Sequence, residues 1–259
     1  MVRVAQDVIL ETQGLVKAFK GFVAVDGVSL RVRSGEIHAL IGPNGAGKTT
    51  FFNLLTKFLQ PTSGSIVYRG RNITQEKTAD IARLGIVRSF QICAVFPQLS
   101  VLENVRVALQ RKLGSSFHFW RSEKCLCSLD RRALELLADV RLDSFARTLA
   151  ADLPYGRKRA LELATTLALD PELMLLDEPT QGLGHEDLAH VTGLIKQVSA
   201  NRTVLMVEHN MSVVSSIADT ISVLQRGRVI ATGPYGEVSN NPLVVEAYMG
   251  SSASSLSSH

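Results

Sequence analysis

Gly42-Pro43-Asn44-Gly45-Ala46-Gly47-Lys48-Thr49 matches the pattern G-x-x-x-x-G-K-[ST] at every position. Glycines let a backbone approach phosphate oxygens closely, so that successive N–H groups and a helix N-terminus point at them. Lys48 then meets the outer phosphates, and the Thr49 hydroxyl is a hard oxygen donor suited to Mg²⁺. The flanks agree with this reading. Glu36 to Ile41 is a short apolar run expected to be a buried strand, and Thr49 to Phe58 reads as a helix that stops before Gln60-Pro61. Strand, loop and helix stand in the order that a nucleoside triphosphate site requires.

Outward from this loop, Val28, Leu30 and Val32 alternate with Ser29, Arg31 and Arg33, the period of a strand with one wet face. Ser65 to Tyr68 is another strand after the turn Pro61-Thr62-Ser63-Gly64, so an antiparallel layer is expected on both sides of the loop in sequence. Val101 to Gln110, Arg131 to Val140 and Tyr155 to Leu169 carry helical spacing and predict an α-helical insertion. Leu173 to Leu176 and Val204 to Val207 are short apolar runs of the kind buried on both faces of a parallel sheet. Leu188, Val191, Leu194, Ile195 and Val198 between them follow a helix. Ile221 to Leu224 and Val229 to Ala231 flank Gln225-Arg226-Gly227-Arg228 as a hairpin. The expected organisation is one domain over residues 7–250 with a helical subdomain at about 92–165, followed by a disordered Ser-rich tail over 251–259.

Composition narrows the class. A chain of 259 residues with 46% hydrophobic content can bury a full core. No uninterrupted apolar stretch is long enough to cross a bilayer, and the first residues lack a secretory pattern, so a cytoplasmic protein is expected. The three cysteines, Cys93, Cys125 and Cys127, lack the second ligand pair of a zinc site. A net charge of +4 spread over scattered Lys and Arg neither requires nor excludes an anionic partner.

The second chemical signal is Leu173-Met174-Leu175-Leu176-Asp177-Glu178, an apolar strand ending in two carboxylates, where ligands of parallel α/β sheets collect. Asp177 is expected to hold Mg²⁺ opposite Thr49, and Glu178 to accept a proton from an attacking water or orient it. Taken alone, Asp-Glu also admits the reading of a solvated acidic loop, which the pairing with the phosphate loop disfavours. His209 follows Val204-Leu205-Met206-Val207-Glu208 at the end of another such strand, where it can donate to the γ-phosphate. A lone histidine is more often a surface or satisfied core residue.

The order Phe19, Gly42 to Thr50, Gln91, Leu153-Pro154-Tyr155-Gly156-Arg157, Asp177-Glu178 and His209 resembles the ATP-binding subunit of an ATP-binding cassette (ABC) transporter, from about Leu10 to Gly250. Val87-Arg88-Ser89-Phe90-Gln91 and Glu246-Ala247-Tyr248-Met249-Gly250 are similar to the subunits of branched-chain amino acid, urea and amide importers. The resemblance implies an α/β P-loop NTPase: a RecA-like parallel sheet core, an antiparallel β subdomain and an α-helical insertion. It implies ATP and Mg²⁺ as ligands, with Phe19 stacked on adenine, Thr50 beside the phosphates and Gln91 coupling the γ-phosphate and metal to the membrane partner. Without it, Phe19 reads as core packing and Gln91 as a surface amide. In the family two such subunits meet head to tail, and the segment corresponding to Leu153–Arg157 closes over the partner's ATP. The implied partners are a second ABC ATPase subunit, transmembrane permease subunits and, indirectly, an extracytoplasmic solute-binding protein, with no nucleic acid. The implied location is peripheral, on the cytoplasmic face of the bacterial inner membrane.

Departures from the family pattern accompany the match. Pro154 stands where a serine is usual, which removes a hydroxyl from the γ-phosphate's surroundings, and Arg157 stands where glutamine is usual. Gly184 replaces the common aspartate of the loop after Asp177-Glu178-Pro179. The expected function is an ATP-hydrolysing importer subunit. The alternatives are a weakly active or non-hydrolysing subunit of a heterodimer, or a non-transport ABC ATPase. The stretch Phe117-His118-Phe119-Trp120 reads as a small aromatic core or a partner contact, and Phe96 to Val105 resembles the region that receives the transporter's coupling helix.

Overall fold

The computed structural model of the chain describes residues 7–89, 95–112 and 129–254. In order, its elements begin with β1 (Val8–Phe19), β2 (Phe22–Arg33), β3 (Ile37–Ile41), α1 (Lys48–Leu55), β4 (Ser63–Tyr68) and β5 (Arg71–Asn72). There follow α2 (Thr78–Arg83), β6 (Ile86–Ser89), α3 (Val101–Lys112), α4 (Asp130–Asp139) and α5 (Tyr155–Ala168). The chain then passes through β7 (Leu173–Asp177), α6 (His185–Val198), β8 (Thr203–Val207) and α7 (Met211–Ile217). It closes with β9 (Thr220–Gln225), β10 (Arg228–Gly233), α8 (Tyr235–Ser239) and α9 (Pro242–Ser254).

Two sheets result. The antiparallel one runs β2-β1-β4-β5, and the other runs β10-β9-β3-β8-β7-β6, parallel except where β10 turns back on β9. Every residue of β3, β7 and β8 is buried, because elements cover both faces of the central strands. One apolar cluster lies between the parallel sheet and the helices α3, α4, α5 and α6, through residues such as Val105, Leu137, Leu161, Met174 and Leu194. A second joins the two sheets around Phe51 and Phe52 of α1. The expected P-loop architecture of parallel core, antiparallel layer and helical insertion is therefore present.

Several details differ from the sequence reading. Helix α1 stops at Leu55 and not at Phe58, because Lys57 takes a left-handed backbone with φ 61° that no helix continues. Strand β1 escaped detection since its pairings with β2 and β4 slip register repeatedly around Gly14, which breaks a clean alternation. Helix α9 carries the chain four residues into the stretch expected to be disordered, and only 255–259 of that stretch lies outside the described residues. Phe117 to Trp120 and all three cysteines also lie outside them. A polar chain crosses the sheet interior: His38 meets Glu36 through Nδ1 at 3.0 Å and Ser222 through Nε2 at 2.9 Å, and Ser222 meets Thr232 at 2.9 Å. Buried polar groups so satisfied pin the register of β3, β9 and β10.

Candidate functional site

The loop between β3 and α1 is gripped by both sheets. Gly42 has φ 150° and Gly47 has φ 103°; a Cβ at the first would run into the Leu224 carbonyl of β9, and one at the second into the Ala24 carbonyl of β2. Only glycine fits at either point. Gly227 in the β9–β10 turn donates its N–H to the Ala46 carbonyl at 2.9 Å, fixing the loop from a third side. Gly47 is the N-cap of α1 and supplies no side-chain acceptor, so the helix directs its first N–H donors into the loop.

Lys48 is buried, and its Nζ donates to the Gly42 carbonyl at 2.7 Å and the Pro43 carbonyl at 3.0 Å. Burial lowers the pKa of its amine, against the opposing pull of the Glu178 and Asp177 charges. The expected cation and both expected carboxylates therefore share one electrostatic neighbourhood. Thr49 is exposed at the start of α1, and Thr50 is half-buried. Tyr248 of α9 reaches the Gly42 backbone, and burial pushes its phenol up to about 12. The end of the chain thus touches the start of the loop.

Asp177 ends β7 with its side chain fully buried. Its Oδ2 is paired with Arg88, while Oδ1 is buried with no hydrogen-bond partner among the described residues. A buried carboxylate oxygen without a donor among the described residues is a place for a cation, and this oxygen and the Thr49 hydroxyl are both hard donors of the kind that suits Mg²⁺. Glu178 follows at φ 50°, a left-handed conformation that costs a non-glycine residue on the order of 1 kcal/mol or more. The turn aims its carboxylate sideways, where Oε1 lies 2.6 Å from Nε2 of His209. Its backbone N–H meanwhile stays on the Val207 carbonyl of β8 at 3.0 Å.

Two residues that organise this corner carried little signal. Glu208, buried, accepts on Oε1 from the N–H (3.1 Å) and hydroxyl (2.5 Å) of Thr180, and on Oε2 from the N–H groups of His209 (2.9 Å) and Asn210 (3.2 Å). It ties the loop after β7 to the end of β8. Its signal was the one used for Asp177, a carboxylate closing an apolar strand. Arg88 lies on β6, directly after the apolar pair Ile86-Val87, and in the sequence it is marked only as part of the importer-like stretch Val87-Arg88-Ser89-Phe90-Gln91.

The segment Leu153–Arg157 leads into α5. Pro154 is its N-cap, and no side chain among the described residues caps the helix. Leu153 is buried, Tyr155 donates its hydroxyl to the Gln181 carbonyl at 3.3 Å, and the Asp187 carboxylate packs where a Cβ on Gly156 would lie. Arg157 stacks its guanidinium 4.0 Å from the Phe145 ring centre, so its charge is engaged within its own subdomain. Gly184 is the N-cap of α6. Phe19, 45% exposed at the tip of the β1–β2 hairpin, presents an open ring with Lys17 Nζ 5.3 Å from its centre. Phe96 is exposed, its backbone held at both N–H and C=O by Asn104. Gln91 lies outside the described residues.

A family model described as ABC transporter matches residues 25–181, and one described as branched-chain amino acid ATP-binding cassette transporter matches residues 228–254. The chain is 40% identical to the high-affinity branched-chain amino acid transport ATP-binding protein BraF of Pseudomonas aeruginosa, over 93% of this chain and 98% of BraF. It is 38% identical to LivG of Escherichia coli K12, a protein of the same description, with the same two coverages. Among solved structures, the ADP conformation of MJ1267, an ATP-binding cassette of an ABC transporter, aligns with a TM-score of 0.83 at 29% identity, covering 94% of this chain and 99% of that one. The dimeric MJ0796 cassette bound to ADP and phosphate aligns at 0.72 with 25% identity, covering 87% and 98%.

Proposed function

Since this chain belongs to the ABC transporter family, as an ATP-binding subunit of the ATPase class, we propose that it hydrolyses ATP to drive uptake of branched-chain amino acids. The 2.6 Å contact between Glu178 and His209, beside Lys48 and Asp177, carries the reading. The Gly42–Gly47 backbone and Lys48 cradle the phosphates, and Phe19 stacks on adenine, an interaction of about 1–3 kcal/mol in nucleic-acid cases. Glu178 takes the proton of the attacking water in line with the leaving oxygen, and His209 orients that carboxylate and donates to the γ-phosphate. Asp177 Oδ1 and the Thr49 hydroxyl hold Mg²⁺, with Gln91 as a further ligand. When bound, Mg²⁺ neutralises charge developing on the phosphate oxygens.

The same reading places the chain at the cytoplasmic face of the inner membrane, paired head to tail with a second ATPase subunit and docked on permease subunits through the region of Phe96. The names of BraF and LivG support the solute class, and the dimeric neighbour supports the pairing. No helix among the described residues is long and apolar enough to cross a membrane. A weakly active subunit of a heterodimer is the second reading, favoured by Pro154, which caps α5 without a hydroxyl. The test is ATP hydrolysis by the purified chain, alone and with membrane partners, beside Lys48→Ala and Glu178→Gln. Turnover lost in both variants supports the motor; turnover of the assembly that survives Glu178→Gln supports the second reading.

A further inference from the structure

The guanidinium of Arg88 joins three elements at the acidic end of the site. Its side chain is 9% exposed on β6, beside β7 in the parallel sheet. Nη2 pairs with Oδ2 of Asp177, Nη1 donates to Oδ1 of Asn53 in α1 at 2.6 Å, and Cζ lies 5.8 Å from the ring centre of Phe52 in the same helix. Nε is buried and has no hydrogen-bond partner among the described residues. Helix α1 begins at Lys48, so a single planar group sets the distance between the phosphate-loop helix and the strand that ends in the carboxylates.

We propose that Arg88 is a positioning residue that fixes Asp177 by one oxygen and opposes, by its charge, the divalent cation that the other oxygen takes. The inference rests on the ATP and Mg²⁺ reading above. Two cations then share one carboxylate. The guanidinium, held on Oδ2 and braced by Asn53, leaves Oδ1 as the buried oxygen without a donor among the described residues, so Arg88 decides which oxygen meets the metal. Because the Arg88 and Asp177 side chains are both buried, repulsion between guanidinium and dication is poorly screened. The metal is consequently held less tightly than by an unopposed carboxylate, and it leaves readily once the terminal phosphate is gone. A brace that served the fold alone would act otherwise: its loss would loosen the site and weaken the metal.

The experiment uses the full chain with ADP, following Mn²⁺ by the loss of its free electron paramagnetic resonance signal and ADP affinity by a fluorescent analogue. In Arg88→Gln, half-saturating Mn²⁺ for the ADP complex should fall by about threefold or more, while metal-free ADP affinity stays within about twofold. Arg88→Lys keeps the charge and should leave half-saturating Mn²⁺ within about twofold of the parent. Folded Arg88→Gln whose Mn²⁺ binding is unchanged or weaker overturns the inference. Should Arg88→Gln not fold, the side-chain ¹⁵N signals of Arg88, identified by their loss in Arg88→Lys, decide. They should move when Mg²⁺ joins the ADP complex of the parent and not with ADP alone; signals that stay put overturn it. A parent chain that binds neither ADP nor Mn²⁺ sinks the ATP reading and this inference with it, whereas ADP and Mn²⁺ binding without the shift sinks this inference alone.

Discussion

His209 Nε2 lies 2.6 Å from Glu178 Oε1, a contact made by two residues that each follow the end of a parallel strand, β7 and β8. Glu178 keeps one backbone hydrogen bond to β8, from its N–H to the Val207 carbonyl, but its side chain lies beyond the paired residues of the sheet, as does that of His209. What brings them together is the left-handed turn at Glu178 and the anchoring of His209 by Glu208.

Replacing Glu178 by Gln keeps its shape and removes the base, and replacing His209 by Ala removes the partner that orients it. Each should lower kcat of the assembled transporter by about 10² or more with ATP affinity nearly unchanged. The double variant should be scarcely slower than Glu178→Gln, because the two act as one unit. Single-turnover hydrolysis beside equilibrium ATP binding checks both; a fully additive loss would mean that His209 works independently.

Glu208→Ala should be costly. It leaves the Thr180 hydroxyl and three backbone N–H groups without their acceptor in a buried corner. Orphaning such donors costs about 1–3 kcal/mol apiece before relaxation, so a net destabilisation of at least about 2 kcal/mol is expected. Urea unfolding measures it, and ATPase activity should fall further than the folded fraction does, since His209 loses its tether.

Lys57 is a stability defect with a pH signature. Its Nζ is buried with no hydrogen-bond partner among the described residues, and burial lowers its pKa to about 8 from 10.5, with Glu76 pulling the other way. The unfolded chain therefore binds more protons than the folded one between about pH 8 and 10.5, so this group's penalty is complete below pH 8 and fades as pH rises through that window. Lys57→Met should stabilise the protein at pH 7 by roughly 1–3 kcal/mol, and the gain should shrink by pH 9.5. Urea midpoints of parent and variant at the two pH values read the difference, and a gain independent of pH would refute the assignment.

Pro154→Ser tests the signature segment. A serine N-cap can accept from the N–H of Gly156 or Arg157, worth about 1 kcal/mol, while losing proline frees the unfolded chain by about 0.4–1 kcal/mol, so stability should scarcely change. Turnover of the assembled complex should rise severalfold if the missing hydroxyl limits it. Unchanged turnover would assign the segment's role to Gly156 and the helix start.

Much of the fold was legible because its cues are local. The two fully buried strands β7 and β8 read as unbroken apolar runs, and the hairpin of β9 and β10 was marked by Gly227. Strand β1 was not legible, since its register slips blur the period, nor was the early end of α1, since nothing in Lys57 itself demands a left-handed backbone. At the site, the loop, Asp177, Glu178 and His209 could be named from position. Arg157 could be named but not placed, because its stacking on Phe145 depends on a segment twelve residues away.

By itself the sequence determined the chemistry available: which groups bind phosphate, which oxygens suit a hard cation, and which strands carry them, because composition and spacing act over a few residues. Tertiary structure alone decided how those groups are used. Among the described residues Asp177 is left with one unpaired oxygen because Arg88 arrives from β6 and Asn53 from α1, and Glu178 faces His209 because β7 and β8 are neighbours. Such pairings arise when distant segments share one sheet, and no local pattern encodes which side chains then come within hydrogen-bond distance.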